Sequence, residues 1–283
     1  MKNGCAIFVA VLVTLGGSWA GFVVVPSIQL GKAKQTTILN STDTWPLQRT
    51  GEATLGLQIY RANGCAACHT EQIRQEGVTF DVVVTSAGKT PDAVTKAIYE
   101  CDPPSTPSHL LNVPPVGEVF TGVTKEQADV ASEKIKAAGG KIEVHLKATG
   151  ADIAHGWGVR RSVATDFLYD NPVQLGSLRV GPDLANVGAR LPDANWQLAH
   201  LYAPKMAMTN SVMPSFKFLF EVRKLGAAPS ADALNLRKEF APAAGYEVVP
   251  KLEAKQLVAY LLSLRADAPL YEAPFSPVTT AKP

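Results

Sequence analysis

From Gly4 to Leu30 the chain carries no charged residue. The run GCAIFVAVLVTLGGSWAGFVVVPSIQL is long enough for a membrane-spanning helix, which needs about 20 apolar residues. A cleaved signal sequence is the alternative, with Ser18-Trp19-Ala20 as a poor cleavage site. Signal cores usually run about 7–15 residues, and here the apolar stretch continues through GFVVVP, so the reading is an uncleaved anchor over 1–31. Lys2 precedes the run and Lys32 and Lys34 follow it. The positive-inside rule therefore leaves the orientation open. Residues 32–53 are polar and read as a linker to a soluble body.

Periodicity then predicts a helix in ATLGLQIYRANGCAACH, with Leu55, Leu57, Ile59 and Tyr60 on its apolar face and Gly64 loosening its end. The character changes at residue 77. VTFDVVVTSAG (78–88) is β-branched and reads as a strand. TPDAVTKAIYEC (90–101) opens with Thr and Pro, as a helix does. PSTPSHLLNVPPVGEVF (104–120) is Pro-rich and reads as irregular. TKEQADVASEKIKAAGG (124–140) is an amphipathic helix with a T-x-x-Q capping pattern and a Gly-Gly stop. KIEVHL (141–146) alternates as a strand does. Residues 77–152 thus form a small α+β module of their own.

Helix and loop return at Trp157. RVGPDLANVGAR (179–190) reads as a loop, DANWQLAHLYAP (193–204) as a short helix stopped by Pro204, and TNSVMPSFKFLF (209–220) as a loop that begins extended. PKLEAKQLVAYLLSLR (250–265) is amphipathic, with Ala254, Leu257, Val258, Leu261 and Leu264 on one face. The tail, 266–283, is Pro-rich and reads as loose. The fold class is therefore mainly α: an N-terminal transmembrane helix and an all-α domain over 54–76 and 153–265, interrupted by the inserted α+β domain at 77–152. No internal repeat is present.

With 283 residues the chain has room for a real core, and a formal charge of +2 gives no reason to expect nucleic acid. Cys5, Cys65, Cys68 and Cys101 are its four cysteines, too few and too scattered for a disulfide scaffold. Two of them stand in GCAACH (64–69). C-x-x-C-H is the attachment pattern of haem c: each thiol adds across one porphyrin vinyl, and the next residue, His69, is held against the iron. A structural zinc site would need a second ligand pair, whereas His109, His145, His155 and His200 are scattered. A redox dithiol would follow a strand, and here a helix precedes the motif.

An electron carrier needs a second axial ligand, and methionine is the usual partner of histidine. Met213 precedes Pro214, which disfavours helix and places it in an extended loop able to lie across a haem face. His69 and Met213 are far apart for a small cytochrome, but removing 77–152 takes away about half of that separation. Two propionates would need cations or donors, for which Arg74, Arg160, Arg161, Arg179 and Arg190 are candidates. Pro182, in GPDL, can offer its carbonyl to His69 Nδ1–H and fix the ring. Trp196 packs on haem or core, and His155 and His200 read as structural.

Three segments, IYRANGCAACHTEQIR, RRSVATDFLYDNPVQLGSLRVGPDLANVGARLPDANWQLAHLYAP and SVMPSFKFL, together resemble the monohaem subunit II of cbb3-type cytochrome c oxidases. The likeness covers most of the chain outside 77–152. It implies one covalent haem c held by Cys65 and Cys68, with His69 and Met213 as iron ligands. It implies a periplasmic cytochrome domain on a single-pass anchor in the cytoplasmic membrane, N-terminus inside. It also implies partners: a haem-copper catalytic subunit that receives electrons, and a multihaem cytochrome c subunit or soluble donor that supplies them. No catalysis of its own is implied. A free-standing, membrane-tethered cytochrome shuttling electrons between complexes is the alternative. An enzyme acting at its own haem would need an open iron position, against which Met213 argues. VTFDVVVTSAGKTPDAVTKAIYEC and GVTKEQADVASEKIKAAGGKIEVHL resemble the C-terminal domain of the bacterial ribosomal stalk protein. That family's basic middle helix is replaced here by PSTPSHLLNVPP, so only a compact docking or shielding fold is expected of 77–152.

Overall fold

The computed structural model describes residues 3–101 and 116–273. The chain divides into two compact units: the N-terminal segment through Gln48 together with Val163–Val173, and Arg49–Ser162 together with the chain from Gln174 onward.

The first unit begins with α1 (Gly4–Trp19), which runs through a π turn (Ala20–Val24) into α2 (Val25–Gly31). The turn has a local cause. Pro26 lacks an N–H and its ring crowds the carbonyl four residues back, so the ladder widens just before it and Val25 N–H bonds to Ala20 O. Gly4–Gln29 is long and apolar enough to cross a membrane, and none of its most apolar window is buried in protein. At about 1.5 Å per residue the span is ~39 Å, enough for a ~30 Å hydrocarbon core with some tilt. Two of its hydroxyls bond back to the helix, Thr14 Oγ1 to Ala10 O at 2.8 Å and Ser27 Oγ to Val23 O at 2.6 Å. The expected linker is more ordered than its polarity suggests. Thr36–Thr37 (β1) and Thr44–Trp45 (β2) pair antiparallel. Trp45 is 6% exposed, and its indole N–H donates to Asp166 Oδ1 at 2.7 Å.

In the second unit α3 (Gly51–Ala62) starts at Thr50, whose hydroxyl accepts Ala53 N–H. Its buried stripe is Ala53, Gly56 and Tyr60. Leu55, expected on the apolar face, is exposed. The reason is the partner helix at the C-terminal end of the chain, Leu252–Ser263, which crosses so closely at Gly56 that a Cβ there would collide with the Gln256 carbonyl.

The inserted module follows as β3 (Gly77–Ser86), α4 (Pro91–Tyr99), β4 (Gly117–Val123), α5 (Lys125–Ala137) and β5 (Lys141–Thr149). The sheet is antiparallel in the order β4-β3-β5. Val82, Val84, Val94, Ile98, Phe120 and Ile135 belong to a core cluster of its own. The capping box expected at Thr124 and Gln127 is formed. β4 corrects the irregular reading of 104–120, of which 104–115 lie outside the described residues. Its GEVFTGV carries two glycines and pairs through register shifts, so no clean alternation marks it. Asp81 satisfies the irregular edge by accepting Gly122 N–H at 2.8 Å.

Beyond the module come α6 (Ala151–Ala154), α7 (Val187–Arg190), α8 (Ala194–Tyr202) and α9 (Pro204–Ala207), in which Pro204 opens a further turn instead of only ending a helix. β6 (Phe220–Lys224) and β7 (Tyr246–Pro250) form a ladder that the all-α expectation lacked, with Arg223 Nε and Glu247 Oε1 paired across it at 2.8 Å. α10 (Leu252–Ser263) closes the unit, and its five expected apolar positions are all buried. Its core joins Tyr60 of α3, Val187 of α7, Leu198 and Leu201 of α8, and Val248 of β7. The tail is not loose as far as it is described. Ala266, Ala268, Leu270 and Ala273 are buried, and Arg160, 0% exposed, donates through Nε to Ala268 O at 2.6 Å. Residues 274–283 lie outside the described residues.

The α3–α10 crossing leaves no room for a side chain at residue 56. Gly56→Ala should lower the unfolding free energy by about 1–3 kcal/mol, as overpacking does. A thermal or denaturant melt that matches the parent protein would show that the two helices separate without cost.

Candidate functional site

Gly64 takes the left-handed conformation at the end of α3, with φ 67°, and so turns the chain into the one-turn 3-10 helix Cys65–Ala67. His69 N–H bonds back to Cys65 O at 3.0 Å. Cys65 is half-buried against the main core and Cys68 is exposed. Burial pushes the Cys65 thiol up to about 11.

The segment after His69 is laced to the 175–184 loop. Val180 and Gly181 N–H both bond to Cys68 O at 3.0 Å, Glu71 N–H bonds to Leu175 O at 3.1 Å, and Leu184 N–H bonds to Thr70 O at 2.8 Å. This brings Pro182 O to 2.8 Å from His69 Nδ1. A carbonyl only accepts, so Nδ1 carries the proton and Nε2 keeps its lone pair. Gly181 is required by proximity: a Cβ there would run into the imidazole ring.

Beside the ring lies a partly open cavity of about 90 Å³. Cys65, His69, Pro182, Arg190, Trp196 and Met213 all line it, together with an apolar wall that includes Leu184, Leu191, Leu201, Leu257 and Leu261. Met213 arrives from the loop between α9 and β6, which is tied by Met213 N–H to Ser211 Oγ and by Phe216 N–H to Leu201 O. The structure does not bring Arg74, Arg161 or Arg179 to the lining. Arg74 is exposed, Arg161 donates to Glu272 O at 2.6 Å, and Arg179 is engaged with Asp152, Thr70, Gln72 and Asp183. Of the five candidate arginines, Arg190 alone lines the cavity.

Three wall residues escaped sequence reasoning as site residues. His200 stacks on Trp196, one turn earlier on α8, with centroids 4.8 Å apart and planes 8° from parallel. Its Nδ1 is buried without a hydrogen-bond partner, and burial, then the neighbouring His69, lowers its pKa. The i,i+4 spacing from Trp196 was the available signal. Gln197, also in the wall, donates to Leu191 O at 3.0 Å. Tyr60 sits 5.1 Å from the Tyr260 ring, whose hydroxyl donates to both oxygens of Glu71 at 2.9 and 3.0 Å. Burial and the Glu71 charge drive the Tyr60 pKa far up, so it is a neutral phenol. Arg190 has a second unpartnered buried donor, Nε, while its Nη2 holds Asp183 O at 3.1 Å. Among the described residues no three His, Cys, Asp or Glu side chains converge as a metal-binding group.

These features define the class: among the described residues one helix able to span a membrane, a mainly α body with an α+β insert, and an apolar cavity lined by His69, Met213, Arg190 and His200. Residues 154–256 match a family model described as FixO, the mono-haem subunit of cytochrome c oxidase. The match takes in Pro182, Arg190, Trp196, His200 and Met213, and leaves out GCAACH and 77–152. No curated protein matches the chain.

The Cys65 shift has a kinetic signature. Below its pKa the thiolate fraction of a thiol grows about tenfold per pH unit, and three units below it only about one thiol in a thousand is ionised. Iodoacetamide labelling of Cys65 in the reduced, cofactor-free chain should therefore keep climbing to about pH 10, as followed by mass spectrometry. A rate that levels off near pH 9 would mean that burial does not shift this thiol.

Proposed function

We propose that the chain is a membrane-anchored monohaem c-type cytochrome, the electron-transfer subunit of a cbb3-type haem-copper terminal oxidase. The observation that carries this reading is that the histidine of the C-x-x-C-H motif and Met213, far apart in sequence, line one apolar cavity. Cys65 and Cys68 would hold haem c as thioethers, and His69 Nε2 and the Met213 sulfur would ligate its iron. The residues fit the group. His69 has its lone pair free because Nδ1 is committed to Pro182. Arg190 Nε and His200 Nδ1 are buried polar atoms without partners, and a carboxylate-bearing ligand meets that demand. Trp196 and the leucines exclude water from its face.

Bound there, haem supplies a one-electron iron couple. The protein holds it in place and keeps its surroundings apolar; the chain carries out no catalysis of its own. Electrons arrive from a multihaem cytochrome c subunit or a soluble donor and leave toward the haem-copper catalytic subunit. The partial family match supports the respiratory-oxidase setting. The apolar helix Gly4–Gln29 supports a membrane anchor. Covalent attachment of haem c outside the cytoplasmic membrane puts the body in the periplasm.

Two measurements test this. Met213→Ala should turn a low-spin haem spectrum toward high-spin, and an unchanged spectrum would overturn the ligand assignment. Purification through a C-terminal tag in mild detergent should bring haem b and oxygen uptake along with haem c. A lone haem c with no oxygen uptake, and no partner recovered by crosslinking, would make the chain a tethered carrier instead.

A further inference from the structure

Arg179 and Asp152 were left outside the cavity, yet they sit behind the histidine's hydrogen-bond partner. Asp152 lies in α6, where the chain leaves the inserted module, and it is buried. One of its oxygens accepts Arg74 N–H at 2.6 Å, and the other accepts the Arg179 guanidinium. Arg179 spreads its remaining donors over the segment that follows His69. Nε donates to Thr70 Oγ1 at 2.8 Å and Nη2 to Gln72 O at 2.6 Å, while the same nitrogen faces Asp183 Oδ2 at 3.4 Å. The guanidinium also lies over the Trp157 ring, 5.4 Å from its centroid. Asp183 itself accepts from Thr70 Oγ1 at 2.5 Å, from Gln72 N–H at 2.9 Å and from Ala185 N–H at 2.8 Å. It follows Pro182 directly, and Pro182 O is the atom that receives His69 Nδ1–H.

We propose that Asp152 and Arg179 are positioning residues for His69: their ion pair fixes the 179–183 loop and with it the carbonyl that orients the imidazole. The inserted module thereby has a physical line to the site, because Asp152 follows its last strand, β5. The proposal rests on the haem reading above. Asp152 lies outside the segment that matches the oxidase-subunit family, whereas Arg179 and Asp183 lie inside it.

The chemistry sets the direction of the effect. A tight Nδ1–H bond to a carbonyl makes Nε2 a stronger donor, which favours oxidised iron. When Asp152 is neutralised, Arg179 loses one of its two carboxylates and its fork is free to turn toward solvent. The loop loosens, the histidine bond weakens and the midpoint potential rises.

The experiment uses the full chain, haem-loaded and in detergent, with Asp152→Asn, Arg179→Lys and the double variant. Midpoint potentials come from optical redox titration, and the axial environment from the ferric electron paramagnetic resonance spectrum. Each single variant should shift the midpoint upward and alter the ferric signal. The double should shift it no further than the larger single, since both act through one chain of contacts. Lys147→Gln, on the surface of the module, should leave both readouts unchanged. Asp152→Glu, which keeps the charge, should shift less than Asp152→Asn and serves where the latter does not accumulate. Potentials and spectra equal to the parent's in variants that do accumulate would overturn the proposal. A parent chain with no covalent haem on a denaturing gel would overturn the functional reading, and the proposal with it, before any potential is measured.

Discussion

Asp183 is 0% exposed, and a carboxylate withdrawn from water has to be met by donors on every side. Here it is met by a hydroxyl, two backbone N–H groups and a guanidinium. None of these donors is incidental. Two come from the residues just after His69, and one from the turn that leads into α7. Satisfying one charge therefore joins the motif segment to the 179–190 loop. Arg190, which lines the cavity, closes the arrangement by holding Asp183 O through Nη2. Removing the carboxylate would leave Arg179 and two backbone amides without it, so the cost would spread along both strands of the lacing.

The same geometry explains how a separate module is tolerated with only seven residues between it and His69. Gly77 and Thr149, at its two ends, are paired partners in the β3–β5 ladder, and Glu76 N–H bonds to Thr149 O at 2.9 Å. The chain leaves and returns at one place, so the segments flanking the module meet as they would if joined directly. A closed excursion of this kind costs little more entropy when it is long than when it is short. The module's own core removes the need to borrow apolar surface from the rest of the unit.

Elements whose cause is local were legible in the sequence. α5 has its capping box, α10 its uninterrupted apolar stripe, and Gly64 its place after a helix. What failed was set by partners distant along the chain. β6 and β7 are defined by each other, and nothing in FEVRK or YEVVP alone predicts the ladder. Leu55 looked like a core residue because the close crossing at Gly56, which turns the helix, depends on Gln256. Ala268 is buried where its carbonyl accepts from Arg160, a partner far off along the chain. In the site, the motif and the methionine in its loop are visible as residue types, whereas the choice among five arginines is not. Arginines look alike in a sequence, and only their buried partners separate a wall residue such as Arg190 from a brace such as Arg179.

The electrostatics of the cavity are divided between its sides. Arg190 and His200 bring nitrogen atoms to the wall, with burial lowering the pKa of both and so favouring a neutral His200 over a charged one. On the Tyr60 side, Glu71 lies 2% exposed behind the phenol and takes up the Tyr260 hydroxyl. A carboxylate in the interior there favours positive charge near Tyr60, while the Arg190 guanidinium favours negative charge on its own side. Under the haem reading proposed above, the Glu71 carboxylate would favour the oxidised iron and the Arg190 guanidinium the reduced iron. Both groups are held by hydrogen bonds to neighbouring residues, Glu71 by the Tyr260 hydroxyl and Arg190 by Asp183 O, so the placement of the two charges is built into the fold.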